Sequence, residues 1–317
     1  MTGVSVDEID RLVSLLRRIP LHARRFALTP AAARSSYRLD ADLLELLVAA
    51  GLPHVGTGED RLFDHHDLLN VSLCLHRRSP QRVAMRYWAA VLDRPVGECR
   101  EYELSYLPVC PSPGHPGDCR FLLCEPEGRE SVRCGAGDGA TALLTVRVRL
   151  LNDWPPLPDE LVAVIQETDG IEFHRVPDSL RWDVGFLLGQ GFGDCAATAR
   201  LLVERGVRRG LTMRPVFGLI VAPPYSAPHF WAEVLVDGRW VPADPGIIRG
   251  LIRWDLLDPA WPVYRSPGAF LARLSTRHAF IASHEGVAAD VAVRTRQLPT
   301  TGASGPGPAS EPRAGAG

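Results

Sequence analysis

Apolar residues recur at three- and four-residue spacing through DEIDRLVSLLRRI, DADLLELLVAAG and SPQRVAMRYWAAVLD, so residues 6–93 read as helical. Ser79-Pro80 opens the last of these, because proline fits the first turn of a helix. In FDHHDLLNVSLCLH, Asp64, His65, His66 and Asp67 crowd together. Adjacent side chains on a helix point about 100° apart, so the two histidines cannot readily share one ion, and the cluster reads as a solvated helix start.

From residue 98 the pattern shortens. REYELSYLPV, RFLLCEP, ESVRCG and TALLTVRVRLL are strand-like runs divided by Gly- and Pro-containing turns, and the last alternates clearly. The proline-rich LNDWPPLPDE closes this segment. DELVAVIQE and PDSLRWDVGFLLGQG follow as helices, the second ending at glycine. DCAATARLLVERGV is predicted as a helix ending at Gly206, with Ala196, Ala199, Leu202 and Val203 on one face. RPVFGLIVA then reads as a strand, and HFWAEVLVDGRWVPADP as a hairpin turning at Asp237-Gly238. Four regions result: a helical part (1–97), a β-rich segment (98–152), an α+β domain (153–290) and a tail (291–317). The tail carries no bulky apolar residue after Leu298 and is expected to be disordered.

Composition narrows the function. Apolar residues make up 46% and the net charge is −2, which gives no electrostatic case for nucleic acid or an anionic membrane as partner. No apolar run reaches the length of a membrane span, and MTGVSVDEIDRL lacks the layout of a secretion signal, so a cytoplasmic protein is expected. Lysine is absent, and all 35 strongly cationic side chains are arginine. A lysine Schiff base and a phosphate-loop lysine are thereby excluded. Cys99, Cys110, Cys119, Cys124 and Cys134, with His115 among them, raise the question of zinc. No C-x-x-C pair occurs, and structural zinc sites normally build on a tight ligand pair. Buried reduced thiols are the expectation, with zinc left open; no cofactor is expected and no metal is placed at the site.

One constellation carries chemistry. Asp194 is placed to cap the helix that begins at Cys195, and a first-turn thiol faces unpaired N–H groups that favour a thiolate. Counting back from the Asp237-Gly238 turn pairs Val236 with Arg239 and sets Trp231 opposite Asp244. His229 and Trp231 share one strand face, so Asp244 is the diagonal neighbour of His229, about 7–8 Å away at the backbone. A histidine oriented by a carboxylate is what a thiol nucleophile requires as its base. The Cys195 amide is the natural oxyanion donor, Gln190 a candidate second donor, and Trp231 sheet core or pocket wall. Asp194 has a second possible role: its carboxylate repels the thiolate if it faces the site.

The blocks GDCA at 193–196, HFWAEV at 229–234 and DGRWVPADP at 237–245 resemble the signature of the transglutaminase-like superfamily, in the order Cys, His, Asp. The resemblance covers roughly 178–250 and implies an α+β, papain-like core in a bacterial member, with the cysteine opening a helix packed on an antiparallel sheet. It implies Cys195 as nucleophile, His229 as general base and acid, and Asp244 as the orienting carboxylate, and it makes 153–290 the catalytic domain. Asp194 and Ala196 stand where animal transglutaminases have glutamine and an aromatic residue, which argues against protein crosslinking. The expected reaction is acyl transfer through a thioester acyl-enzyme, forming an amide in a natural-product type of biosynthesis. Its partners would be a thioester or amide donor, including one on an acyl carrier protein, and an amine or water acceptor. A cysteine peptidase or amide hydrolase needs the same triad, and a non-catalytic binding protein retaining the fold is the other class.

Overall fold

Residues 4–115 and 117–299 are described by the computed structural model. The first helices form where their spacing places them. Val6–Leu16, Ala41–Ala49 and Pro80–Leu92 are capped by Ser5, Asp40 and Ser79, whose side chains accept from first-turn N–H groups. Their apolar stripes face one core, which takes in Val13 and Leu16, Leu44 and Leu47, and Trp88 and Leu92. Three short strands at 26–28, 54–55 and 62–64 form a small sheet within this otherwise helical part. Runs of two or three residues show no alternation, so the sequence pattern does not reveal them.

The start of helix His65–Cys74 is solvated only at its histidines: His65 is exposed and His66 half-buried, but Asp64 and Asp67 are buried. Asp64 Oδ1 caps the helix by accepting from His66 N–H at 2.8 Å, while Asp67 is 1% exposed. Arg24 explains how Asp67 can be there: its Nε donates to Asp67 Oδ2 at 2.7 Å. The rest of that guanidinium donates to the carbonyls of Leu16 and Ile19. Burial still lifts the Asp67 carboxyl to about 6, with Arg24 pulling the other way.

The main sheet is antiparallel and seven-stranded. Its order is Leu271–Ser275, Met213–Ile220, Tyr225–Val236, Val291–Gln297, Cys99–Pro108 and Leu144–Leu151, with Arg239–Ala243 paired to the far half of Tyr225–Val236. Strands from either side of the proline-rich junction at 152 thus share one sheet. The tail expected from 291 begins instead as a strand, with Val291 opposite Pro108 and Gln297 opposite Tyr102. Val293 and Thr295 point into the core while Ala292, Arg294 and Arg296 face out, a period-two pattern whose arginines make the run look polar. Residues 300–317 of that expected tail lie outside the described residues. A second sheet runs Val287–Ala289, Ala282–His284, Cys119–Glu125 and Arg129–Gly135.

Helix Cys195–Arg208 packs on strands Met213–Ile220 and Tyr225–Val236. Small Ala196 and Ala199 join the core that holds Val216 and Trp231, which lets helix and sheet approach closely. The helix runs through Gly206 instead of ending there. A Cβ on Gly206 would lie 2.0 Å from Met213 Sδ, so that glycine serves packing. Among the described residues, no helix is long and apolar enough to cross a membrane.

The Arg24–Asp67 pair yields a stability prediction. Arg24→Ala leaves Asp67 buried without a counter-charge, and denaturant unfolding should show a loss of about 3–5 kcal/mol. Replacing both residues by apolar ones of similar volume should recover most of it. A single-variant loss below about 1 kcal/mol would mean that the pair is not the reason this polar cluster can be buried.

Candidate active site

Asp237 and Gly238 take φ of 48° and 78°, the backbone of a two-residue hairpin turn. The register follows the count from sequence: Val236 faces Arg239 and Ala232 faces Ala243. Pairing stops one residue before Asp244, which leaves the sheet and caps helix Pro245–Arg253. Its Oδ1 accepts from Ile247 N–H at 3.1 Å, and its Oδ2 accepts from His229 Nε2–H at 2.5 Å. The cap bond fixes the carboxylate rotamer, and the fixed carboxylate orients the imidazole. With Nε2 engaged, Nδ1 is left for the hydrogen bond between His229 and Cys195. Helix packing therefore brings the first-turn thiol to a histidine and aspartate held by one hairpin.

All three side chains are buried. Burial opposes a charged imidazole, but the charges of Cys195 and Asp244, with hydrogen bonds to both, outweigh it and push His229 up to about 10. Near neutral pH the imidazole is then charged, beside the Cys195 sulfur. Such a pair can attack a carbonyl carbon and hand a proton to the leaving group. The Cys195 N–H, on the first turn with no intrahelical acceptor, supplies an oxyanion donor beside the sulfur.

Asp194 caps its own helix. Its Oδ1 accepts from Ala196 N–H at 3.1 Å, and Oδ2 lies 3.4 Å from Arg181 Nε, an ion-pair distance without hydrogen-bond alignment. Burial raises its carboxyl pKa, with Arg175, Arg181, the Ala196 N–H and His229 opposing. Trp231 stacks on His229 with centroids 6.3 Å apart and planes at 22°. Gly218 stands opposite His229 on the adjacent strand, and a Cβ there would lie 2.5 Å from the Trp231 ring. An isolated glycine inside the apolar run RPVFGLIVA was the available sign of that close approach.

Gln190 is not brought to the site. It ends helix Val184–Gln190, where its side-chain oxygen accepts from Arg18 Nε at 3.0 Å and its carbonyl from the same guanidinium. The cleft that reaches Cys195 has a volume of about 350 Å³ and is walled by Phe217, Phe230, Phe280 and Ile281. Arg175 and Arg181 also line it, and no pattern in HRVPDSLRWD marked them beforehand. Arg181 pairs with Asp178 at 2.5 Å, whereas Arg175 has no ion pair among the described residues.

The cysteines between 99 and 134 are not uniformly buried thiols. Cys119 and Cys124 are buried, Cys99 and Cys110 half-buried, and Cys134 exposed. Cys110, His115, Cys119 and His284 place one donor atom each within 4.8 Å of one another, making them the described residues able to hold a metal ion.

Residues 161–245 match the family model of the transglutaminase-like superfamily, a span that includes all three triad residues. This part of the chain is a transglutaminase-like domain, in a fold that mixes helices with antiparallel sheet. Among solved structures, a provisionally assigned cysteine protease from Cytophaga hutchinsonii is similar at 12% identity, over 65% of this chain and 92% of that one, with a TM-score of 0.34. No curated protein matches the sequence.

The electrostatics of the triad can be checked by titration. The His229 ring resonance should titrate near pH 10 in the intact protein. In Cys195→Ala its pKa should fall, since one raising charge and one hydrogen bond are removed while burial remains. The sign for stability follows: with the folded value above the ordinary 6.5, the His229 contribution is full below about pH 6.5 and is lost as pH rises toward 10. An unchanged His229 titration in Cys195→Ala would show that the two groups are not coupled.

Proposed function

We propose that the protein is a cysteine-dependent acyltransferase that forms amide bonds through a thioester acyl-enzyme. The observation that carries this reading is His229, hydrogen-bonded on one side to Asp244 and on the other to Cys195. The Cys195 thiolate adds to the donor carbonyl, and the oxyanion is held by the Cys195 N–H. Collapse expels the leaving thiol or amine, which takes its proton from His229, and the acyl group stays on sulfur. An amine then adds to this thioester, His229 recovers the proton, and the amide leaves as the thiolate is regenerated. Asp244 keeps the imidazole aligned through both halves and stabilises its charged form.

The aromatic walls of the cleft support transfer over hydrolysis, because Phe217, Phe230 and Phe280 surround the acyl group with apolar surface that disfavours water. Arg175, with no ion-pair partner among the described residues, offers a guanidinium to an anionic group on the donor. A carrier-bound or free thioester is the proposed donor and a small-molecule amine the proposed acceptor, in a biosynthetic setting.

Intact-mass measurement after incubation with simple acyl thioesters tests the chemistry. An acyl adduct is expected on the wild type and none on Cys195→Ala, which should keep its fold and lose turnover by at least about a thousandfold. With an added amine, amide product should exceed free acid. Free acid alone would replace transfer by hydrolysis on the same triad, and turnover retained by Cys195→Ala would remove the mechanism altogether.

A further inference from the structure

Four side chains outside the triad lie together in a way that packing alone does not require. Cys110 and His115 lie in the connection after strand Cys99–Pro108, Cys119 opens strand Cys119–Glu125 of the second sheet, and His284 ends the neighbouring strand Ala282–His284. Their donor atoms all lie within 4.8 Å of one another. Tetrahedral zinc with two thiolates and two imidazoles places its ligand atoms about 3.3–3.8 Å apart. The cluster is therefore a slightly open form of that cage, and His115 Nε2 is already 3.2 Å from Cys119 Sγ.

The surroundings fit ligation. His284 Nδ1 donates to the Arg120 carbonyl at 3.1 Å, which fixes the tautomer that presents Nε2 as an electron pair. The two imidazoles lie side by side, with centroids 4.9 Å apart and planes at 27°. Ser112 N–H points at Cys110 Sγ from 3.4 Å, the kind of amide donor that stabilises a metal-bound thiolate. Gly137 accepts from Cys110 N–H at 2.8 Å through its carbonyl, with φ +61°. A Cβ on Gly137 would lie 2.9 Å from Cys119 Sγ and 3.1 Å from Cys110 Cβ, so the backbone wraps the sulfurs too closely for any side chain. Cys119 and His284 are buried, while Cys110 and His115 close the rim.

We propose that Cys110, His115, Cys119 and His284 form a structural zinc site of the two-thiolate, two-imidazole type. Zinc would displace the two thiol protons, and four protein ligands leave no position for a reacting molecule, so the site is structural. Its place in the fold gives it a task. It ties Cys110 and His115, in the connection before strand Cys119–Glu125, to that strand and to the Ala282–His284 and Val287–Ala289 hairpin beside it, and Ile281, Ala288 and Ala289 of that hairpin region line the cleft that reaches Cys195. The metal would hold one wall of the cleft in position.

Metal analysis of the purified full chain tests the site independently of any catalytic reading. About one zinc per chain is expected in the wild type and in Cys195→Ala and Cys134→Ser, and almost none in Cys119→Ser or His284→Ala. Since those ligand variants can fail to fold, two wild-type measurements stand beside them. Chelation should expose two further thiols to a thiol reagent, and cobalt replacement should give the visible bands of a tetrahedral site with sulfur ligands. Wild-type protein that takes up no zinc, a Cys110–Cys119 disulfide in place of two thiols, or zinc retained in full by Cys119→Ser would each overturn the proposal.

Discussion

The Asp244 carboxylate carries two hydrogen bonds on which the active-site geometry depends. One oxygen caps helix Pro245–Arg253 and the other holds His229 Nε2. Because the same group ends the hairpin strand and starts the helix, the direction of the imidazole is set by backbone structure on both sides. The thiol is set separately, by a helix whose small Ala196 and Ala199 allow it to lie close to the sheet. A charged imidazole in this buried place would be unfavourable alone. It is sustained because Asp244 and Cys195 flank it, each through its charge and a hydrogen bond.

The buried charges around this centre are balanced in layers. Asp194, immediately before Cys195, caps the helix and is offset by Arg175 and Arg181, so a second carboxylate can sit there beside His229 and Asp244. Arg181 is shared with Asp178 at the cleft, whereas Arg175 makes no ion pair among the described residues. Trp231 backs the imidazole from the far side, in space that exists because residue 218 is glycine. The cleft itself is assembled from distant parts: a loop before helix Cys195–Arg208, two strands of the main sheet and the hairpin region around Ile281.

Local chemistry was legible in the sequence. The Asp-Gly turn fixes hairpin register, so the pairing that brings Asp244 toward His229 could be counted residue by residue. The thiol at a helix start could be read from its cap, and the order of the three blocks pointed to the superfamily. Features depending on partners far along the chain could not be read. Asp64 and Asp67 looked solvated because Arg24 and Arg25, which make their burial possible, lie about forty residues earlier. Gln190 is close to Cys195 in sequence, yet the helix end turns it toward Arg18. Strand Val291–Gln297 carries arginines on its outer face, and its long partner begins at Cys99. Zinc was raised by Cys110, His115 and Cys119 but not favoured, because no C-x-x-C occurs and the fourth member, His284, lies far along the chain on the strand beside Cys119–Glu125.

The central claim is that Asp244, His229 and Cys195 act as one coupled unit that keeps the sulfur nucleophilic. The most direct measurement is the rate at which iodoacetamide alkylates Cys195 near neutral pH, site-resolved by mass spectrometry, with the exposed Cys134 of the same molecule as internal standard. In the wild type Cys195 should react at least about tenfold faster than Cys134, despite its burial, and this advantage should collapse in Asp244→Ala. Equal rates at the two cysteines, or an advantage that survives the loss of Asp244, would contradict it.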